Sequence, residues 1–159
     1  MATAQNNLSD YNASEVPSGK GLRVALVVSE WNAAITEGLC RGAEETLLAH
    51  EVAPEDISRI NVPGSFELVY GCKTAQQKAD AVIAIGSVIQ GETKHFVFVC
   101  QGVTQGIVQL NLNAAVPVIF CVLTDNTLEQ AQARSGGKHG NKGVEAAVAA
   151  LKMAALNRL

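Results

Sequence analysis

Residues 81–110 read AVIAIGSVIQ GETKHFVFVC QGVTQGIVQL, and they decide the fold. The run at 81–89 is almost wholly Ala, Val and Ile, the pattern of a strand buried on both faces of a parallel sheet. Gln90-Gly91-Glu92-Thr93 breaks that run. Phe96, Val99, Val103, Ile107 and Leu110 then recur at helical spacing. A strand therefore feeds a helix through one short polar turn.

The alternation extends both ways. Apolar runs at 22–29, 57–62 and 117–123 predict three more strands. Ile35, Leu39, Ala43 and Leu47 mark a helix after Asn32, a candidate N-cap. Leu68, Cys72, Ala75 and Ala79 mark another after the turn-forming Pro63-Gly64. Thr127-Leu128-Glu129-Gln130 is a capping-box pattern that opens a short helix. Val144, Val148 and Leu151 mark the last one. The order β-α-β-α-β-α-β-α-α predicts an α/β fold in three layers. A four-stranded parallel sheet lies between helices, joined by right-handed crossovers. The Gly- and Lys-rich segment 134–143 reads as an exposed loop between the last two helices.

Composition narrows the function. The 159 residues suit one domain. Residues 22–159 are read as that domain and 1–21, rich in Asn, Ser, Ala and Gly, as a flexible arm able to order against a neighbouring subunit. At 48% hydrophobic and 17% charged residues, disorder and coiled coil are excluded. A net charge of −3 gives no basic excess to draw in nucleic acid. The longest apolar runs fall far short of the ~20 residues of a membrane span. Residues 1–21 carry no apolar signal-peptide core, and acidic residues without Arg argue against a transit peptide. Cys40, Cys72, Cys100 and Cys121 form no CxxC pair and read as reduced core thiols. A cytoplasmic protein is expected.

Ligands of such folds sit at the carboxyl ends of the strands, so the segments that follow each strand matter most. Trp31, the sole Trp, sits at the first strand–helix junction; it serves either packing or as a flat platform for a planar ligand. Ser65, Glu67 and the free N–H groups of a helix start follow the second strand. They suit a polyol, or plain helix capping. After the third strand, Gly91 permits close backbone approach and the helix start favours a phosphate. His95 lies in the first turn there, where the dipole disfavours imidazolium and suits a proton shuttle, unless it is simply a surface residue. Phe120 on the fourth strand reads by itself as core. Arg134, Lys138, His139 and Lys142 follow; Arg134 can grip a phosphate with two donors, or the cluster is only solvated charge. GxSxG, GxxxxGK[ST] and GxGxxG motifs and metal-ligand spacings are all missing.

Together these segments resemble one family. Trp31-Asn32, Pro63-Gly64-Ser65-Phe66-Glu67, Gly91-Glu92-Thr93-Lys94-His95-Phe96, Pro117-Val118-Ile119-Phe120 and Arg134-Ser135-Gly136-Gly137-Lys138-His139-Gly140-Asn141-Lys142-Gly143 are similar to the motifs of the 6,7-dimethyl-8-ribityllumazine synthases, in order and at family spacing. The resemblance runs from about Leu22 to the C-terminus. It implies a flavodoxin-like subunit that condenses 5-amino-6-(D-ribitylamino)uracil with 3,4-dihydroxy-2-butanone 4-phosphate, the penultimate step of riboflavin biosynthesis. It implies that Trp31 stacks on the pyrimidine and that Ser65, Phe66 and Glu67 hold the ribityl chain. Ser87, Val88 and Ile89 would present backbone to the pyrimidine, with Lys142 near its oxygens. Glu92, Thr93 and Arg134 would bind the phosphate ester, and His95 would move protons. Phe120 and Arg134 would come from an adjacent subunit. No metal, flavin or nicotinamide is implied. Pentamers are, along with icosahedral shells of twelve pentamers, the form associated with a short 134–143 segment. Riboflavin synthase is an implied partner.

The chain departs from the family pattern in places. Trp31 stands where Phe is more frequent and offers a larger face to flavin-like rings. Val69, Gln90, Cys121 and His139 replace a frequent Pro, basic residue, Gly and Ala; Gln90 weakens the positive field near the phosphate. Two other classes compete with the synthase reading: a non-catalytic flavin- or lumazine-binding module, and a relative that dismutates lumazine to riboflavin. His95, Thr93 and Arg134 discriminate, since a ring binder needs neither a proton shuttle nor a phosphate site.

Overall fold

Val24, Leu26 and Val28 point to one side of the first strand, Ala25 and Val27 to the other, and all five are buried. That two-sided burial is why the strand lies inside a sheet. The computed structural model describes residues 7–157; residues 1–6 of the N-terminal arm, with 158–159, lie outside the described residues.

Four strands, β1 (Val24–Ser29), β2 (Ile57–Val62), β3 (Ala81–Ile89) and β4 (Val118–Asp125), form one parallel sheet in the order β2-β1-β3-β4. Five α-helices accompany it: α1 (Ala33–Ala49), α2 (Leu68–Ala75), α3 (His95–Asn113), α4 (Leu128–Arg134) and α5 (Lys142–Leu156). One face of the sheet packs on α1, α4 and α5 through Leu39, Leu47, Ala147 and Leu151. The other packs on α2 and α3 through Leu68, Cys72, Val103 and Ile107. The three layers expected of the sequence are present. No helix among the described residues is long and apolar enough to cross a membrane.

Two local expectations change. Asn32 does stand before α1, but in a left-handed conformation (φ 59°) that Asn tolerates. Its side chain caps nothing in α1. Instead Nδ2 donates to the Ser87 carbonyl of β3 at 2.9 Å. Segment 134–143 is not a plain loop: β5 (Ser135–Gly137) and β6 (Gly140–Asn141) pair antiparallel. Asn141 anchors the ribbon, with Nδ2 donating to the Gly38 carbonyl at 2.8 Å and Oδ1 accepting from Gly143 N. A helix-forming or strand-forming propensity could not reveal this, because the partner of Asn141 lies a hundred residues away in α1.

The N-terminal segment from Asn7 onward runs along the same ribbon. Leu8 N donates to the His139 carbonyl at 2.8 Å, and Asn141 N donates to Ser9 Oγ at 3.0 Å. Farther on, Tyr11 Oη lies 3.2 Å from His50 Nε2 at the C-terminus of α1.

Candidate active site

The strand order fixes where a ligand goes. From β1 the chain moves outward to β2 and then returns past β1 to β3, so the connections at the ends of β1 and β3 leave in opposite directions. That divergence opens a crevice at the carboxyl edge. A cavity of about 760 Å³ lies there, within the range of small-molecule sites.

Three loops build its walls. Glu30 N donates to the Val62 carbonyl at 2.8 Å and Trp31 N to the Pro63 carbonyl at 3.2 Å, so the loop after β1 is tied to the loop after β2. The Asn32–Ser87 bond ties it also to β3. Held on both sides, Trp31 leaves its indole 71% exposed on the cavity wall. A Trp so exposed is not a piece of core, and its flat face is open to a planar ligand.

Phe66 also lines the cavity. Gly102 of α3 makes room for that ring: a Cβ there would lie 2.6 Å from Phe66 Cε2. Ser65 and Ser87 form the floor. Both are buried, and neither Oγ has a hydrogen-bond partner among the described residues. Gly86 makes room for Ser65, since a Cβ at that position would lie 2.7 Å from Ser65 Oγ. An unpaired buried hydroxyl costs ~1–3 kcal/mol, so two of them beside a cavity are offset by a ligand rich in hydroxyl or carbonyl groups. Glu67 adds an exposed carboxylate at the rim, next to the N-terminus of α2.

The fourth wall is the start of α3. His95 is its first residue, exposed at the cavity rim, and His95 N donates to Thr93 Oγ1 at 3.3 Å. Gly91 and Thr93 line the wall as well. A helix start that opens onto a cavity presents free N–H groups and the positive end of the dipole, which favours a phosphate. Trp31, Ser65, Phe66, Glu67, Ser87, Val88, Ile89, Thr93 and His95 are thus brought to one cavity.

Four predicted site residues lie elsewhere in the single chain. Glu92 is exposed on the loop before α3 and does not line the cavity. Phe120 is half-buried on β4, the far edge strand, against the α2–α3 side of the core. Arg134 ends α4, where Nη1 donates to the Gln130 carbonyl at 3.0 Å. Lys142 opens α5, with Nζ 2.6 Å from Glu145 Oε1. Phe120 thus lies on one face of the sheet and Arg134 and Lys142 belong to helices on the other, and none of the three lines the β1–β3 crevice.

The sequence reading gave no site role to several lining residues, Asn32, Phe98 and Val99 among them. Asn32 lines the cavity and braces it; its position before a helix suggested a cap, and nothing local pointed to β3. Phe98 and Val99 also line it. They are three and four residues after His95, so the helical period places them on the His95 face. That signal was available once His95 had been singled out.

The chemistry of this cavity agrees with what comparison with known proteins finds. Residues 21–158 match the family model described as 6,7-dimethyl-8-ribityllumazine synthase. A protein of that name from Christiangramia forsetii is 61% identical, covering 99% of this chain and 96% of its own length. One from Flavobacterium johnsoniae is 60% identical, covering 97% and 82%. One from Porphyromonas gingivalis is 58% identical over the whole of both chains. Matched along residues 21–158 and alike to such relatives over nearly its whole length, this chain belongs to the 6,7-dimethyl-8-ribityllumazine synthase family.

Proposed function

We propose that this chain condenses 5-amino-6-(D-ribitylamino)uracil with 3,4-dihydroxy-2-butanone 4-phosphate to give 6,7-dimethyl-8-ribityllumazine, with release of phosphate and water. The carrying observation is the single cavity that holds Trp31, the unpaired Ser65 and Ser87 hydroxyls and His95.

In this reading the side chains divide the work. Trp31 stacks on the pyrimidine, and Ser87, Val88 and Ile89 meet its edge. Ser65, Phe66 and Glu67 accommodate the ribityl chain. The phosphate ester docks at Glu92, Thr93 and the α3 start, with Arg134. The substrate amine is itself the nucleophile, so no covalent enzyme intermediate is needed. Imine formation, phosphate elimination, ring closure and dehydration each move a proton, and His95 accepts and returns it. Arg134 and the helix start stabilise the departing phosphate. Much of the rate gain comes from holding two reactants together.

The working unit is an oligomer in this reading. Phe120, Arg134 and Lys142 lie off the cavity of their own chain and complete the cavity of a neighbour. The support is the apolar surface that the subunit leaves open: Phe98 is 65% and Leu112 73% exposed on α3, and Tyr70 on α2 is exposed as well. Apolar area of that kind marks an interface. A pentamer, and a shell of twelve pentamers, fit this arrangement. Residues 22–159 act as one catalytic domain, with 1–21 as an arm. A cytoplasmic location accords with four cysteines in no disulfide, and riboflavin synthase, which consumes the product, is the expected partner. Trp31 also favours binding of riboflavin itself, read by quenching of its fluorescence.

The decisive assay mixes the protein with both substrates and follows lumazine absorbance. Wild type without a rate above the spontaneous reaction would overturn the assignment. Arg134→Ala is expected to raise KM for the phosphate ester far more than KM for the pyrimidine.

A further inference from the structure

β4 ends in an acid for which the mechanism above has no use. Asp125 is 8% exposed. Its carbonyl accepts the Gln90 N–H at 3.0 Å, and it pairs in register with Ile89 of the cavity. Its side chain reaches α4, where Oδ1 lies 3.7 Å from Arg134 Nη1. Oδ2 is buried and has no hydrogen-bond partner among the described residues. Burial pushes its carboxyl above the usual range, and Arg134 pulls the other way. A buried, half-satisfied carboxylate works against folding. Its presence therefore calls for a reason other than stability.

Arg134 supplies one. Its Nη1 is held twice, by the Gln130 carbonyl one turn back and by Asp125. Among the described residues Nη2 and Nε have no partner. A guanidinium gripped along one edge presents the other as a two-donor fork, the arrangement that suits a phosphate. Charge permits only one order of groups, with the guanidinium between the carboxylate and the phosphate dianion.

We propose that Asp125 is the positioning residue for Arg134, pinning Nη1 so that Nη2 and Nε face the phosphate ester of the second substrate. The proposal rests on the phosphate role given to Arg134 above. Asp125 touches no substrate; it acts through the arginine alone.

A double-mutant cycle tests this in the full-length assembled protein. Asp125→Asn is expected to raise KM for the phosphate ester about tenfold, with KM for the pyrimidine substrate within about twofold. Inorganic phosphate, titrated calorimetrically, is expected to bind about tenfold more weakly. In an Arg134→Ala background the same change is expected to do nothing further. Equal change in both KM values, or an independent loss in the Arg134→Ala background, overturns the proposal. So does unchanged phosphate binding. Asp125→Glu, which moves the guanidinium by a methylene, is the second variant, with the phosphate KM expected to rise several-fold at unchanged helical circular dichroism. If neither variant folds, Asp125 is a folding residue and the proposal fails. Wild type without turnover sinks the synthase assignment, while phosphate titration still decides the Asp125–Arg134 pair.

Discussion

The two faces of the sheet are finished to different degrees. On one side α1 and α5 bury eight and six residues, and Leu39, Leu47 and Leu151 close over the strands. On the other side α3 is longer, with 19 residues, yet buries only Val103 and Ile107. Val97, Phe98, Val108 and Leu112 of the same helix remain exposed. α3 is as apolar as α5 and more so than α1, so the difference is not one of composition. It lies in whether the chain itself supplies a covering layer. The first face is built to fold the subunit; the second reads as built to meet another surface. The cavity sits between them, with residues from the carboxyl edge of the sheet and from the start of the open helix.

The comparison breaks most readily at the closed face. Leu39→Ala, at a fully buried position, is expected to cost ~2–5 kcal/mol of subunit stability. Urea denaturation measures it; a loss under 1 kcal/mol would mean that the α1–α5 layer is not the stabilising one. Next in size comes catalysis at the junction. His95→Ala is expected to lower the rate roughly 100-fold, with the assembled mass unchanged, as read by lumazine absorbance and light scattering. A much smaller loss would mean that positioning outweighs proton transfer.

At the open face the sign of the effect differs. Leu112→Asp puts a charge on exposed apolar surface, so the subunit keeps its circular dichroism while sedimentation shows a smaller species. Retained full mass would sink the interface reading. Asp125→Asn sharpens the contrast by raising stability. The folded carboxyl titrates above its unfolded value, so its ionised form is the one the fold disfavours. Its contribution is kept below the unfolded pKa and lost as pH rises through the folded one. Thermal scans should therefore show Asp125→Asn more stable than wild type at neutral pH and matched to it at strongly acid pH. The smallest effect is chemical. Burial pushes Cys72 and Cys121 up to about 12, whereas Cys100 is half-exposed on α3. A maleimide should label Cys100 first, and assembly should slow it. Equal labelling of Cys72 would contradict its burial.

Much of the fold was legible because hydrophobic burial leaves a periodic trace. Two-sided runs marked β1, β3 and β4 within about two residues, and 3.6-residue spacing marked the helices, although α2 stops at Ala75, before the expected Ala79. Most of the cavity was legible too, since parallel strands bring the residues after β1, β2 and β3 to one edge. Asn32 was misread because its hydrogen-bond partner, the Ser87 carbonyl, belongs to another strand. The β5–β6 ribbon was misread because its anchor, Gly38, belongs to another helix.

The sequence by itself determined the layer order and that Trp31, His95 and the turn at 90–93 follow strand ends, for these depend on local pattern and on the general rule that ligands sit there. Only the tertiary structure decided three further things. It left the Ser65 and Ser87 hydroxyls unpaired beside the cavity, set Asp125 against Arg134, and kept Phe120, Arg134 and Lys142 off the cavity of their own chain. Each depends on distances between segments far apart in sequence. Such distances are fixed by packing, and packing leaves no period in the sequence to read.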